Sequence, residues 1–99
     1  MKINFTYLNS LDWDFYYTND QEYFRSRTNE YDFKLSKAFV REEGLFFNKQ
    51  YIYSFSLDIK ERKTGIVVTI AKDIILKLWH NLIKDYEINR ENFLKEIDL

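Results

Sequence analysis

Asp12 and Asp14 stand two residues apart in the stretch DWDFYYTNDQEYF (residues 12–24), with Trp13 between them and Phe15, Tyr16 and Tyr17 behind. On a strand that spacing sends both carboxylates to one face, about 7 Å apart at the level of Cα. Paired acids can act as general acid and base, hold a divalent cation, or simply keep a strand face in water. A calcium loop needs a further oxygen ligand two residues on and a glycine behind it, and Tyr16 and Tyr17 stand there instead. The rings could wall a hydrolytic site, but 99 residues is a small frame for such a cleft. We therefore read the acids as a solvated face. Asp12, Asp14 and the outward Tyr16, joined by Asp20 and Glu22 from the polar segment that follows, form a candidate partner-binding surface. Tyrosine supplies a stiff, wide contact with a polar tip, and carboxylates around it steer the surface toward a basic partner.

A second set is basic. Lys60, Arg62 and Lys63 crowd a loop, and Arg25 and Arg27 lie in the polar segment upstream. Cations beside aromatic rings on a sheet are the ingredients of a single-stranded nucleic-acid platform, in which rings stack on bases and cations track phosphates. Two features put this reading second: the formal net charge is −1, and no glycine-aromatic motif of the RNA-recognition kind is present. His80 is the single histidine. On a helix it falls about 200° from Leu78, away from the apolar stripe, and one imidazole cannot build a zinc site without further ligands. No serine sits in a glycine elbow, so a hydrolase triad has no nucleophile.

Composition narrows the classes further. Cysteine is absent, which excludes disulfides, thiolate catalysis and Cys-based zinc or iron-sulfur sites. The two glycines, Gly44 and Gly65, are too few for a phosphate-cradling loop. No cofactor is expected. Heavy use of Phe, Tyr, Ile, Asn and Lys, with no proline, is the bias of an AT-rich coding sequence and hints at a low-GC bacterium, a phage or a mobile element. The opening residues alternate instead of forming a signal-peptide core, and no apolar run approaches the ~20 residues that span a bilayer. A cytoplasmic location without membrane contact is expected. Charge is uneven: residues 1–33 carry three basic and six acidic side chains, residues 34–66 seven and four.

The elements that must position these residues follow from periodicity. Ile3, Phe5 and Tyr7 alternate with polar residues, as do Trp13, Phe15 and Tyr17. Both segments read as strands, and a loop at Asn9–Leu11 would pair Tyr7 with Trp13 and Phe5 with Phe15. Residues 18–30 read as a loop with a short helical turn, an edge strand at Tyr23–Thr28 being the alternative. Tyr31–Leu35 reads as a strand, and Ala38–Arg41 with Leu45–Asn48 as a hairpin about Glu42-Glu43-Gly44. Tyr51–Lys60 is the clearest strand, and a loop at Glu61–Thr64 would set Ile59 opposite Ile66 and Leu57 opposite Val68. From near Lys72 the period becomes helical, with Ile75, Leu78, Trp79, Leu82, Ile83 and Tyr86 on one stripe to about Glu87. Asn89 reads as the cap of a short final helix carrying Phe93, Leu94 and Ile97.

The expectation is one α+β domain over 1–99: an antiparallel sheet of five to six strands in two or three hairpins, covered on one face by a long C-terminal helix and a short final one. With no catalytic set in view, the chain reads as a small non-enzymatic binding protein. Its expected use is as an inhibitor that neutralises another protein, of the immunity, antitoxin or phage anti-defence kind. A nuclease, toxin or defence protein with a basic surface is the expected partner, and single-stranded nucleic acid the alternative.

Overall fold

The computed structural model describes residues 3–19 and 21–97, the side chains of 88–97 excepted. In chain order the elements are α1 (Phe5–Asn9), β1 (Asp14–Tyr17), β2 (Gln21–Arg27), β3 (Tyr31–Glu43), β4 (Gln50–Glu61), β5 (Val67–Ile70) and α2 (Asp73–Ile97). The five strands form one antiparallel sheet in the order β1-β2-β3-β4-β5. Both helices lie on the same face, giving the expected α+β arrangement.

Strand parity decides which residues meet the helices. Phe15, Phe24, Leu35, Leu57 and Ile70 stand opposite one another across all five strands, and Ser26, Phe33 and Ile59 form the next row. Onto these rows α2 lowers Ile75, Leu78, Trp79 and Leu82, spaced at i, i+3, i+4 and i+7, and all four are buried. Trp79 packs among Phe15, Phe24 and Phe55, with ring centroids 6.5, 5.0 and 5.7 Å away. Leu35, Leu57 and Leu78 are fully enclosed; burying each such side chain contributes about 1.5–3 kcal/mol. Asp73 lies in the first turn of α2, where a carboxylate complements the helix dipole. Asn89 caps no separate final helix, because α2 runs unbroken through it; the packing of Phe93, Leu94 and Ile97 lies outside the described side chains.

Several expectations are corrected. Residues 3–7 are not a strand: Phe5–Asn9 form α1, and the pairing of Tyr7 with Trp13 does not exist. Asn4 caps this helix, its Oδ1 accepting from the Tyr7 amide at 2.9 Å, and Leu8 is driven into the core. The partner of β1 is instead β2, so Gln21–Arg27 is an interior strand and not a loop with a helical turn. Lastly, Ala38–Arg41 and Leu45–Asn48 do not pair; β3 runs unbroken to Glu43 except for a bulge between Phe39 and Arg41, and pairs with β4 along its whole length.

The β4–β5 hairpin has the expected faces in a register shifted by two residues. Ile59 faces Val68 and Leu57 faces Ile70. Gly65 explains the shift. Its φ of +75° belongs in the turn, so Glu61 and Ile66 close the ladder, with the Glu61 amide donating to the Ile66 carbonyl at 2.9 Å.

Candidate protein-interaction face

The sheet face away from the helices is open. Residues that precede or follow each inward side chain by one must point there, so Asp14, Arg25, Lys34, Asp58 and Thr69 form one row across the five strands. Tyr16, Tyr23, Ser36 and Ser56 form a second, and Arg27, Asp32, Lys60 and Val67 a third. Trp13 and Phe15, between the outward acids, turn toward the core. The Trp13 Nε1–H donates to the Leu8 carbonyl at 2.8 Å, tying β1 to the end of α1.

Tyr16 and Tyr23 stack flat on each other, with centroids 5.3 Å apart and planes 15° from parallel. The Lys34 ammonium lies 4.7 Å from the Tyr23 ring centre. Beside this pair a depression is lined by Asp12, Asp14, Tyr16, Arg25, Arg27 and Asp32. Arg27 Nε donates to Asp32 Oδ1 at 2.8 Å, and the Thr69 hydroxyl to Asp58 Oδ1 at 2.6 Å. Acids and bases thus alternate around stiff rings. The sequence divided these residues between an acidic and a basic surface; β1–β2 pairing puts Asp12, Asp14, Tyr16, Arg25 and Arg27 on one face, with Lys60 two strands away.

The remaining candidates lie elsewhere. Glu22 shares the helix-side parity of Phe24 and approaches Lys37 at 3.8 Å. Asp20 lies outside the described residues. Arg62 is occupied, its guanidinium donating to the Thr28 carbonyl at 3.0 Å and its amide to that of Glu30 at 2.9 Å. Lys63 belongs to a depression with Asn29, Glu30, Tyr31 and Glu61 at the end of the sheet. His80 is exposed on α2. Among the described residues, no group of three or more His, Cys, Asp or Glu side chains could hold a metal ion, and no helix is long and apolar enough to cross a membrane.

One exposed feature was not anticipated from the sequence. Beyond Ala38 and Ser54 the β3–β4 hairpin runs on as an arm without a helix over it, about 16 Å long at strand rise. Phe39, Tyr51 and Tyr53 cluster along it, with centroids 6.1–6.2 Å from Phe39, and Lys37 caps the Tyr53 ring at 4.3 Å. At its tip Leu45, Phe46 and Phe47 are 82, 83 and 94% exposed. The run Leu-Phe-Phe directly after Gly44 has no alternation, and that was the available signal that it is not a strand. Comparison with protein-family models, curated proteins and solved structures finds no significant match to this chain.

Proposed function

We propose that this chain is a small, non-enzymatic, cytoplasmic binding protein that neutralises another protein through the open sheet face, as an immunity protein, antitoxin or phage anti-defence inhibitor does. The observation that carries the reading is the stacked Tyr16–Tyr23 pair, held on a helix-free sheet and ringed by Asp12, Asp14, Arg25, Arg27 and Asp32. Such a surface combines rigid aromatic area with charges that fix the register of a docked protein and reject mismatched ones. The interleaving of bases among the acids revises the partner's chemistry: it carries a complementary mosaic of charge, with cations placed to meet Asp12 and Asp14, instead of a uniformly basic patch.

The same face keeps a single-stranded nucleic-acid module as the second reading, because Arg25, Arg27, Lys34 and Lys60 lie on it beside the tyrosines. Against it, each row of cations carries an aspartate, which repels phosphate. The test compares the tagged wild type with Asp12→Lys/Asp14→Lys in capture from the source cell, followed by kinetics with the recovered protein. A protein retained by the wild type and released at least tenfold faster from the variant supports the proposal. Recovery of nucleic acid in place of protein, with affinity falling steeply as salt rises and increasing in the Asp→Lys variant, overturns it in favour of the second reading.

A further inference from the structure

Sheets in soluble proteins protect their unpaired edges with charges, prolines, bulges or brevity. Three of the four free edges here follow that rule. The outer edge of β1 is four residues long and opens with Asp14; that of β5 is also four residues. Where β3 outruns β2, from Phe39 to Glu43, the edge is bent by the bulge and carries Arg41, Glu42 and Glu43. The exception is β4. Its pairing with β5 covers Leu57 to Lys60 alone, which leaves Gln50–Ser56 unpaired on that side. Those seven residues, QYIYSFS, contain no charge and no proline, and the bulge opposite Tyr53 and Ile52 places its extra residue, Val40, on β3 and not on β4.

We infer that this edge is a joint between two copies of the chain, whose β4 strands add antiparallel to each other about a twofold axis near Tyr53 to make one continuous sheet. An antiparallel self-pairing brings together residues of like parity, so the helix layers of both copies stay on one side. With Tyr53 opposite its own copy, Tyr51 meets Phe55 and Ile52 meets Ser54. Aromatic side chains then face aromatic ones, and no pair of like charges is opposed.

The same register gives the exposed tip an occupant. Phe46 and Phe47 of one copy come level with Lys60 and Ile59 of the other, and the β5 neighbours of those residues are Val67 and Val68. Both valines are more than half exposed, at 53 and 54%. Leu45–Phe47 is loop and not strand, so it can turn over β5 where the ladder ends. Val67 and Val68 point to opposite faces of the sheet, so the tip covers Val68, on the side of Tyr51 and Tyr53; one axis therefore covers the unguarded edge, the aromatic flank of the arm, its tip and that valine. A seven-residue strand pair alone falls short of the roughly 1,200 Å² of a stable specific interface, which is why the tips must contribute. The inference does not use the Tyr16–Tyr23 site of the open face and stands or falls independently of it.

Sedimentation equilibrium on the full chain should give twice 12.2 kDa at high concentration. Ile52→Lys/Ser54→Lys places cations opposite each other and should weaken the dimer at least tenfold, as should Phe46→Ser/Phe47→Ser; far-ultraviolet circular dichroism of the diluted variants should match the wild type. Because the chain has no cysteine, Tyr53→Cys tests the axis directly. Directly opposed residues of antiparallel strands have Cα atoms about 4.5–5.5 Å apart, within the span of a disulfide. This variant should cross-link into a covalent dimer far faster than Thr6→Cys on α1. A chain that remains monomeric at millimolar concentration, a dimer indifferent to the lysines, or equal cross-linking at both cysteines overturns the inference.

Discussion

Trp13 is the pivot between the two faces of β1, and its replacement separates two contributions that the structure assigns to it. The ring lies 6.2 Å from Phe33 and is partly buried, and its Nε1–H donates to the Leu8 carbonyl at 2.8 Å. Trp13→Phe keeps most of the packing and removes the donor. The Leu8 carbonyl retains the Leu11 amide, at 3.4 Å, so the loss should stay near the net value of one hydrogen bond, about 1 kcal/mol. Trp13→Ala also removes the ring. A core Trp→Ala costs about 3–5 kcal/mol, and partial exposure puts Trp13 at the lower end, about 3 kcal/mol. For a domain of this size, that corresponds to a melting temperature lower by roughly 12–24 °C. Urea unfolding followed by circular dichroism gives both values, and a double-mutant cycle with Phe33→Leu should return a coupling of about 0.5–1.5 kcal/mol. If Trp13→Ala costs less than about 1 kcal/mol, the indole is not packed inward. The parity of β1 would then be reversed, and with it the placement of Asp12, Asp14 and Tyr16 on the open face.

Three further outcomes test the fold. Gly44 and Gly65 both have positive φ, but a Cβ at Gly65 meets open space while one at Gly44 runs into the Asn48 carbonyl. Gly65→Ala should therefore cost about 1 kcal/mol of global stability, measured by urea unfolding. Gly44→Ala should instead loosen the arm, speeding hydrogen exchange in 39–43 and 50–53 while leaving the melting temperature within a few degrees. The Arg27–Asp32 pair is exposed, with the arginine side chain 62% accessible, so Arg27→Ala should change stability by less than about 1 kcal/mol and do so less in high salt.

How far the sequence could be read depended on whether one period dominated. In Tyr51–Lys60 and in Ile75–Tyr86 the apolar residues fit a single geometry, and both elements were legible with their buried faces. At the amino terminus two geometries competed. Ile3, Phe5 and Tyr7 alternate, yet Ile3–Tyr7 and Phe5–Leu8 are also spaced at i+4 and i+3; Asn4, a capping residue just before the run, is what distinguishes them. β2 was hidden for the opposite reason. Of its inward residues, Glu22, Phe24 and Ser26, only Phe24 is apolar, so no alternation marks a strand that its two neighbours nevertheless enclose. The candidate face suffered in consequence: without β2 beside β1, the acids and the arginines could not be recognised as neighbours. The two-residue shift of β5 followed from placing Gly65 in the strand when its backbone belongs to the turn.

The strand order has a consequence for how the molecule is made. Each strand pairs with the one synthesised just before it, so every rung of the sheet closes a short stretch of chain and folding should be fast for a β-rich protein. The cover arrives last. Phe24, Phe33, Leu35 and Leu57 are all translated before Ile75, Leu78, Trp79 and Leu82, so on the ribosome the nascent sheet must wait with its oily side bare. During that interval it is a natural client for a chaperone.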